Sequence, residues 1–129
     1  MDHRAIILVV DDASANLQLC KGLLSDTFDI RLAKSGKMAL EALKKFRPDI
    51  ILLDIEMPDM SGFEVMEEIN KNPDYKVISV IFVTSHATEN LVAKAVEQGA
   101  VDYVVKPFDG KVLRIKIHEA LKNKMVTTS

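Results

Sequence analysis

The 129-residue chain has one cysteine, no apolar run of membrane-spanning length and no surplus of positive charge. A single thiol cannot close an internal disulfide, and Cys20 lies among leucines on a helical face, where it reads as a small buried hydrophobe. No stretch approaches the roughly 20 apolar residues that a bilayer requires, so no membrane association is expected. Met1-Asp2-His3-Arg4 runs straight into a strand pattern and leaves no room for a secretory leader, which makes the expected location cytoplasmic. Lys and Arg total 17 against 19 Asp and Glu, a net charge of −2. Nucleic-acid binding needs a concentrated basic face to displace counterions, so this domain is expected to bind none directly. Low-complexity segments are also absent. With 48% hydrophobic and 28% charged residues, the chain has the make-up and the length of one globular domain.

Short apolar runs alternate with stretches of helical period. AIILVV, FDIRLA, DIILLD, VISVIFV and VDYVV form five βα units in succession. Unbroken Ile, Leu and Val in the first, third and fourth runs indicate strands covered on both faces, as in a parallel sheet between helices. Phe28 to Ala33, with Asp29 and Arg31 alternating, reads as an edge strand. Gly99 ends the fourth helix, Asn72-Pro73 follows the third, and Ser61-Gly62 precedes its start. Right-handed crossovers then favour an α/β, flavodoxin-like (βα)5 three-layer sandwich with sheet order 2-1-3-4-5. The domain is expected over residues 1–123, with 124–129 as a C-terminal tail or the start of a linker.

Charged and hydroxyl side chains fall where these strands end. Asp11 and Asp12 follow the first strand, Asp54 the third, Thr84 the fourth and Lys106 the fifth. In an open parallel sheet the carboxyl ends of the strands share one edge, so these groups converge. Three crowded carboxylates repel unless a hard, oxygen-preferring cation offsets them, and a lysine beyond them faces whatever anion the cation recruits. This is chemistry for phosphate rather than for a nucleotide base.

The segments LVVDD, ILLDIEMPDMSG, IFVTS and DYVVKPF resemble, in this order and at strand ends, the receiver domain of two-component response regulators. The likeness runs from about Ile6 to about Leu121. It implies Asp54 as phosphoacceptor, Asp12 and Asp54 as direct Mg2+ ligands, Asp11 as a ligand through water, and the Glu56 backbone carbonyl completing the set. Lys106 and Thr84 are then the partners of two phosphoryl oxygens, and Lys106-Pro107 the family's cis peptide. The resemblance further implies a module rather than an enzyme. It accepts a phosphoryl group from a histidine kinase or histidine phosphotransfer protein and passes the signal to an output domain or homodimer through the face formed by helix 4, strand 5 and helix 5.

Several positions carry two readings. Asp12 can cap the following helix instead of binding metal. Thr84 can simply satisfy backbone groups, and Tyr103 is either a switch between outward and inward positions or a half-buried strand aromatic. Glu56 and His86 flank the line of attack on a phosphoryl group, and His86 reads equally as a solvated loop histidine. On the first helix Ala13, Leu17, Cys20 and Leu24 share an inward stripe, leaving Leu19 outward as a candidate kinase contact. On the last, Leu113, Ile117, Ala120 and Leu121 point inward, leaving Val112 and Ile115 for a partner. A different class of function, a Mg2+-dependent phosphatase working through an aspartyl-phosphate, suits Asp54-Ile55-Glu56 superficially. Such enzymes place that motif on the first strand, however, and here Pro58 occupies the hydroxyl position. A flavin carrier needs a Ser/Thr/Gly phosphate loop where Asp11-Asp12 stands.

Overall fold

The computed structural model describes residues 4–128, and the side chains of residues 4–124. Its elements are β1 (Ile6–Val10), α1 (Ser14–Leu24), β2 (Asp29–Ala33), α2 (Gly36–Leu43), β3 (Ile50–Asp54), α3 (Gly62–Asn70), a 3-10 turn (Pro73–Val77), β4 (Ser79–Thr84), α4 (Glu89–Glu97), β5 (Asp102–Val105) and α5 (Gly110–Thr128). The strands form one parallel sheet in the order β2-β1-β3-β4-β5, as expected.

Alternation along each strand divides the apolar residues between two layers. Leu8, Val10, Ile51, Leu53, Val80 and Phe82 pack under α2, α3 and α4 against Ala39, Leu43, Phe63, Met66, Ile69 and Ala95. Ile7, Val9, Ile50, Leu52, Ile81, Val83 and Val104 face α1 and α5 through Leu17, Cys20, Leu24, Leu113 and Ile117. β3 and β4 are buried throughout, which is why their sequences are apolar without interruption. β2 is half-exposed over most of its length, as an edge strand should be.

Two expectations need adjustment. Ala13 is exposed and serves as the N-cap of α1, so the inward stripe is Leu17, Cys20 and Leu24 alone. Val77 belongs to the 3-10 turn and is 55% exposed, although it continues the apolar run of β4. Asn72 and Pro73 start this turn: the Asn72 side chain accepts a hydrogen bond from the Asp74 amide and fixes the backbone before the strand can begin. α5 continues through Thr128, while Ser129 and the N-terminal residues 1–3 lie outside the described residues.

Glycine is required at two turns. Gly99, at φ +94°, ends α4 in the left-handed region that side chains disfavour. A Cβ on Gly62 would collide with the Asp54 carbonyl oxygen. That close approach, with the Gly62 amide donating to the Ile55 carbonyl at 3.0 Å, folds the chain tightly after β3. A capping box between Ser61 and Glu64 then starts α3.

Candidate functional site: an acidic pocket at the strand ends

β1 and β3 are neighbours whose following helices lie on opposite faces of the sheet, and their carboxyl ends open a crevice where the strand order switches. Asp11, Asp12 and Asp54 meet in it, with one carboxylate oxygen from each within 4.8 Å of the others. Asp54, at the end of β3, is 1% exposed and Asp11 is 2% exposed, whereas Asp12 faces solvent.

Asp11 is held on several sides. Its Oδ1 accepts from the Ala13 amide at 2.9 Å, and its Oδ2 accepts from Asn16 Nδ2 at 3.2 Å and lies 3.0 Å from Lys106 Nζ. It is Asp11, not Asp12, that supports the start of α1, since the cap of that helix has no side-chain bond of its own. Lys106 also stands 3.2 Å from Asp54 Oδ2. Its approach does not make a hydrogen bond of ordinary geometry, and Asp54 Oδ2 has no hydrogen-bond partner among the described residues. Asp54 Oδ1 accepts from the Glu56 amide at 3.3 Å.

Burial pushes the Asp54 carboxyl up to about 7, the negative charge of Asp11 adds to this, and Lys106 only partly reverses it. Burial also costs the Lys106 ammonium, but its close approach to Asp11 and Asp54 and the charges of both carboxylates outweigh that cost and raise its pKa. The pocket therefore holds more negative charge than one lysine neutralises. An orphaned buried carboxylate oxygen beside two further carboxylates suits a hard divalent cation with oxygen ligands.

Thr84, at the end of β4 and 2% exposed, lines the opposite wall. Its hydroxyl donates to Glu56 Oε1 at 2.7 Å and accepts from the His86 amide at 3.0 Å. The His86 backbone thus contacts Thr84, while the residue as a whole is exposed. Lys106 continues β5, its amide bonded to the Thr84 carbonyl at 2.8 Å, and the Lys106-Pro107 peptide is cis. Phe82, Thr84, Ala87, Leu91, Val92, Ala95 and Tyr103 surround a small cavity behind Thr84.

The sequence of this chain matches the response regulator receiver domain over residues 7–118. The chain belongs to that family. This receiver domain is 42% identical over 118 residues to a probable cyclic di-GMP phosphodiesterase of Vibrio cholerae, covering 92% of this chain and 27% of that protein. It is 36% identical over 127 residues to the signal transduction histidine-protein kinase BarA of Escherichia coli, covering 94% of this chain and 14% of the kinase. It therefore spans only about a quarter, or less, of these relatives. Among solved structures it is similar to the signal receiver domain of an HD domain-containing protein from Pseudomonas fluorescens, with a TM-score of 0.88 and 27% identity over 96% of this chain and 99% of that one.

The receiver domain is a signalling module, and its acidic pocket fits a phosphoacceptor role; membership in this family disfavours the phosphatase alternative. No described helix is long and apolar enough to cross a membrane. The fold brings Asp11, Asp12, Asp54, Lys106, Thr84 and Glu56 together, and keeps Leu19 (45% exposed) and Ile115 (49% exposed) on the surface. Three contacts escaped sequence reasoning: the Asn16 amide on Asp11, the Glu56 carboxylate on Thr84, and Lys116, whose ammonium lies 4.8 Å from the centre of the Tyr103 ring and bonds the Tyr103 carbonyl. The Glu56 and Lys116 contacts join elements whose relative placement only the fold determines, whereas the Asn16 bond is local, five residues from Asp11, and depends on the turn between β1 and α1.

Proposed function

We propose that Asp54 is the residue phosphorylated, by transfer from a phosphohistidine of a histidine kinase or histidine phosphotransfer protein. The observation that carries this reading is the buried Oδ2 of Asp54, without a hydrogen-bond partner among the described residues and 3.2 Å from Lys106 Nζ. In the transfer an Asp54 carboxylate oxygen forms a bond to phosphorus, the P–N bond breaks, and the imidazole leaves with the bonding electron pair and takes up a proton. Lys106 pairs with one phosphoryl oxygen as a compact charge, and Thr84 donates its hydroxyl proton to another. Mg2+ held by Asp11, Asp12, Asp54 and the Glu56 backbone carbonyl would supply the positive charge that lets carboxylate and phosphoryl oxygens meet. Asn16 and the Ala13 amide keep Asp11 directed at this position.

The module occupies residues 1–123, with 124–129 leading out of it, and works in the cytoplasm. The exposure of Leu19 on α1 supports a contact with the phosphodonor. The exposure of Val112 and Ile115 on α5 supports an output or homodimer contact across α4, β5 and α5. Tyr103, half-buried on β5 beside the cavity behind Thr84, is the element that relays the change to this face.

Incubation with Mg2+ and acetyl phosphate, followed by mapping of the modified residue, tests the assignment. Label is expected on Asp54 alone and is lost in Asp54→Asn; full labelling of that variant rejects it.

A further inference from the structure

We propose, resting on Asp54 as the acceptor, that Glu56 is a positioning residue: its carboxylate holds the Thr84 hydroxyl back from the phosphoryl group and so sets how readily the domain switches. The Thr84 hydroxyl has one proton to give. Its donation to Glu56 Oε1 at 2.7 Å is a short, charge-assisted bond, and the other available acceptor, the His86 carbonyl, is more distant at 3.3 Å. The His86 amide occupies the accepting side of the same hydroxyl at 3.0 Å. Thr84 is buried, so water does not compete for the proton at this position. A phosphoryl oxygen can receive that proton only if Glu56 gives it up.

Glu56 is also placed to sense the event. Its amide donates to Asp54 Oδ1 at 3.3 Å while its side chain reaches Thr84, so one residue spans the acceptor and the hydroxyl. Its negative charge already acts on Asp54, in the direction of raising that pKa. An incoming phosphoryl dianion therefore repels the carboxylate that restrains Thr84, and opens the restraint in the act of arriving. The restraint is a cost that the activated state must overcome, and a ligand can shift the equilibrium only by its differential contacts with the two states.

The test is a titration with beryllofluoride and Mg2+, followed by NMR, of wild type, Glu56→Ala, Glu56→Gln, Thr84→Ala and the Glu56→Ala/Thr84→Ala double variant. Glu56→Ala is expected to tighten apparent beryllofluoride binding roughly tenfold, the loss of one hydrogen bond to a charged group. Glu56→Gln, which keeps an uncharged acceptor, should gain less. Without metal, both changes should move the Thr84 methyl and His86 amide resonances. In the Thr84→Ala background most of the gain should vanish. An undiminished gain in that background, or metal-free Thr84 and His86 resonances indifferent to Glu56→Ala, overturns the proposal and leaves Glu56 acting by charge alone. A wild type that binds no beryllofluoride overturns the acceptor reading, and this role of Glu56 with it.

Discussion

On one wall of the pocket Lys106 Nζ stands 3.0 Å from Asp11 and 3.2 Å from Asp54, both carboxylates are buried, and Asn16 and the Ala13 amide fix Asp11 from behind. On the other wall Thr84 is buried too, but its hydroxyl is held by Glu56, a residue exposed to solvent, and by the loop amide of His86. The first wall is set by strand ends and by charges that cannot leave without unpairing one another. The second rests on a single proton that can be given to either of two acceptors. Under the proposed function, the comparison separates what is ready before phosphate arrives from what moves afterwards. A preorganised electrostatic site avoids reorganisation during transfer, whereas a switch needs alternatives of similar energy.

The rigid wall breaks most directly at Lys106, its only cation among the described residues. Lys106→Met leaves Asp11 and Asp54 facing each other in a buried site, and the metal-free protein should lose about 3 kcal/mol of stability at pH 8. Denaturant unfolding in a chelator reads this, and added Mg2+ should restore part of the loss. An unchanged midpoint would mean that the two carboxylates relax apart, and the wall would not be preorganised.

A smaller effect concerns the Asp54 proton. Its folded-state pKa, about 7, lies above the ordinary carboxylate value of 3.8 found in the unfolded chain. Between those values the folded state binds more protons, so this group's contribution to stability is full below about pH 4 and is lost as pH rises through 7. Metal-free wild type should therefore be roughly 2.5 kcal/mol less stable at pH 8 than at pH 5 on account of Asp54. Asp54→Asn should remove that slope. A slope of equal size in Asp54→Asn would place the proton elsewhere and weaken the contrast between the walls.

The same contrast explains what the sequence could disclose. Asp11, Asp54 and Lys106 stand at the ends of apolar runs, so the strand pattern and sheet topology alone bring them together. Thr84 could be placed by the same logic, but not its partner: Glu56 reaches it across 2.7 Å from a different strand's loop, a matter of rotamer and turn shape. Ala13 and Val77 depart from their sequence pattern for a related reason. Each continues an apolar period, yet the cap of α1 and the Asn72-Pro73 turn override that period locally. Cys20, in contrast, packs as its leucine-rich helix face indicated, and burial pushes its thiol up to about 12, where it is inert.

The mildest perturbation lies farthest along the mobile side, at Tyr103. Lys116 holds its ammonium 4.8 Å from the Tyr103 ring centre, bonds the Tyr103 carbonyl, and pairs with Asp102 at 3.2 Å, so the tyrosine is restrained from α5 while its ring borders the cavity behind Thr84. If Thr84 moves toward phosphate and the ring follows it into that cavity, the ring draws away from Lys116. A cation over an aromatic face at a partly exposed site contributes about 0.5–1 kcal/mol, so Lys116→Met should shift the equilibrium by roughly two- to fivefold. The expected result is tighter apparent beryllofluoride binding by that factor and movement of Tyr103, Val92 and Ile115 resonances toward their activated positions. Transfer to Asp54 from acetyl phosphate should remain close to the wild-type rate, because the wall that performs it is untouched. Slower transfer with unmoved Tyr103 resonances would show Lys116 acting on the rigid wall instead, and Tyr103 would then be a packing residue.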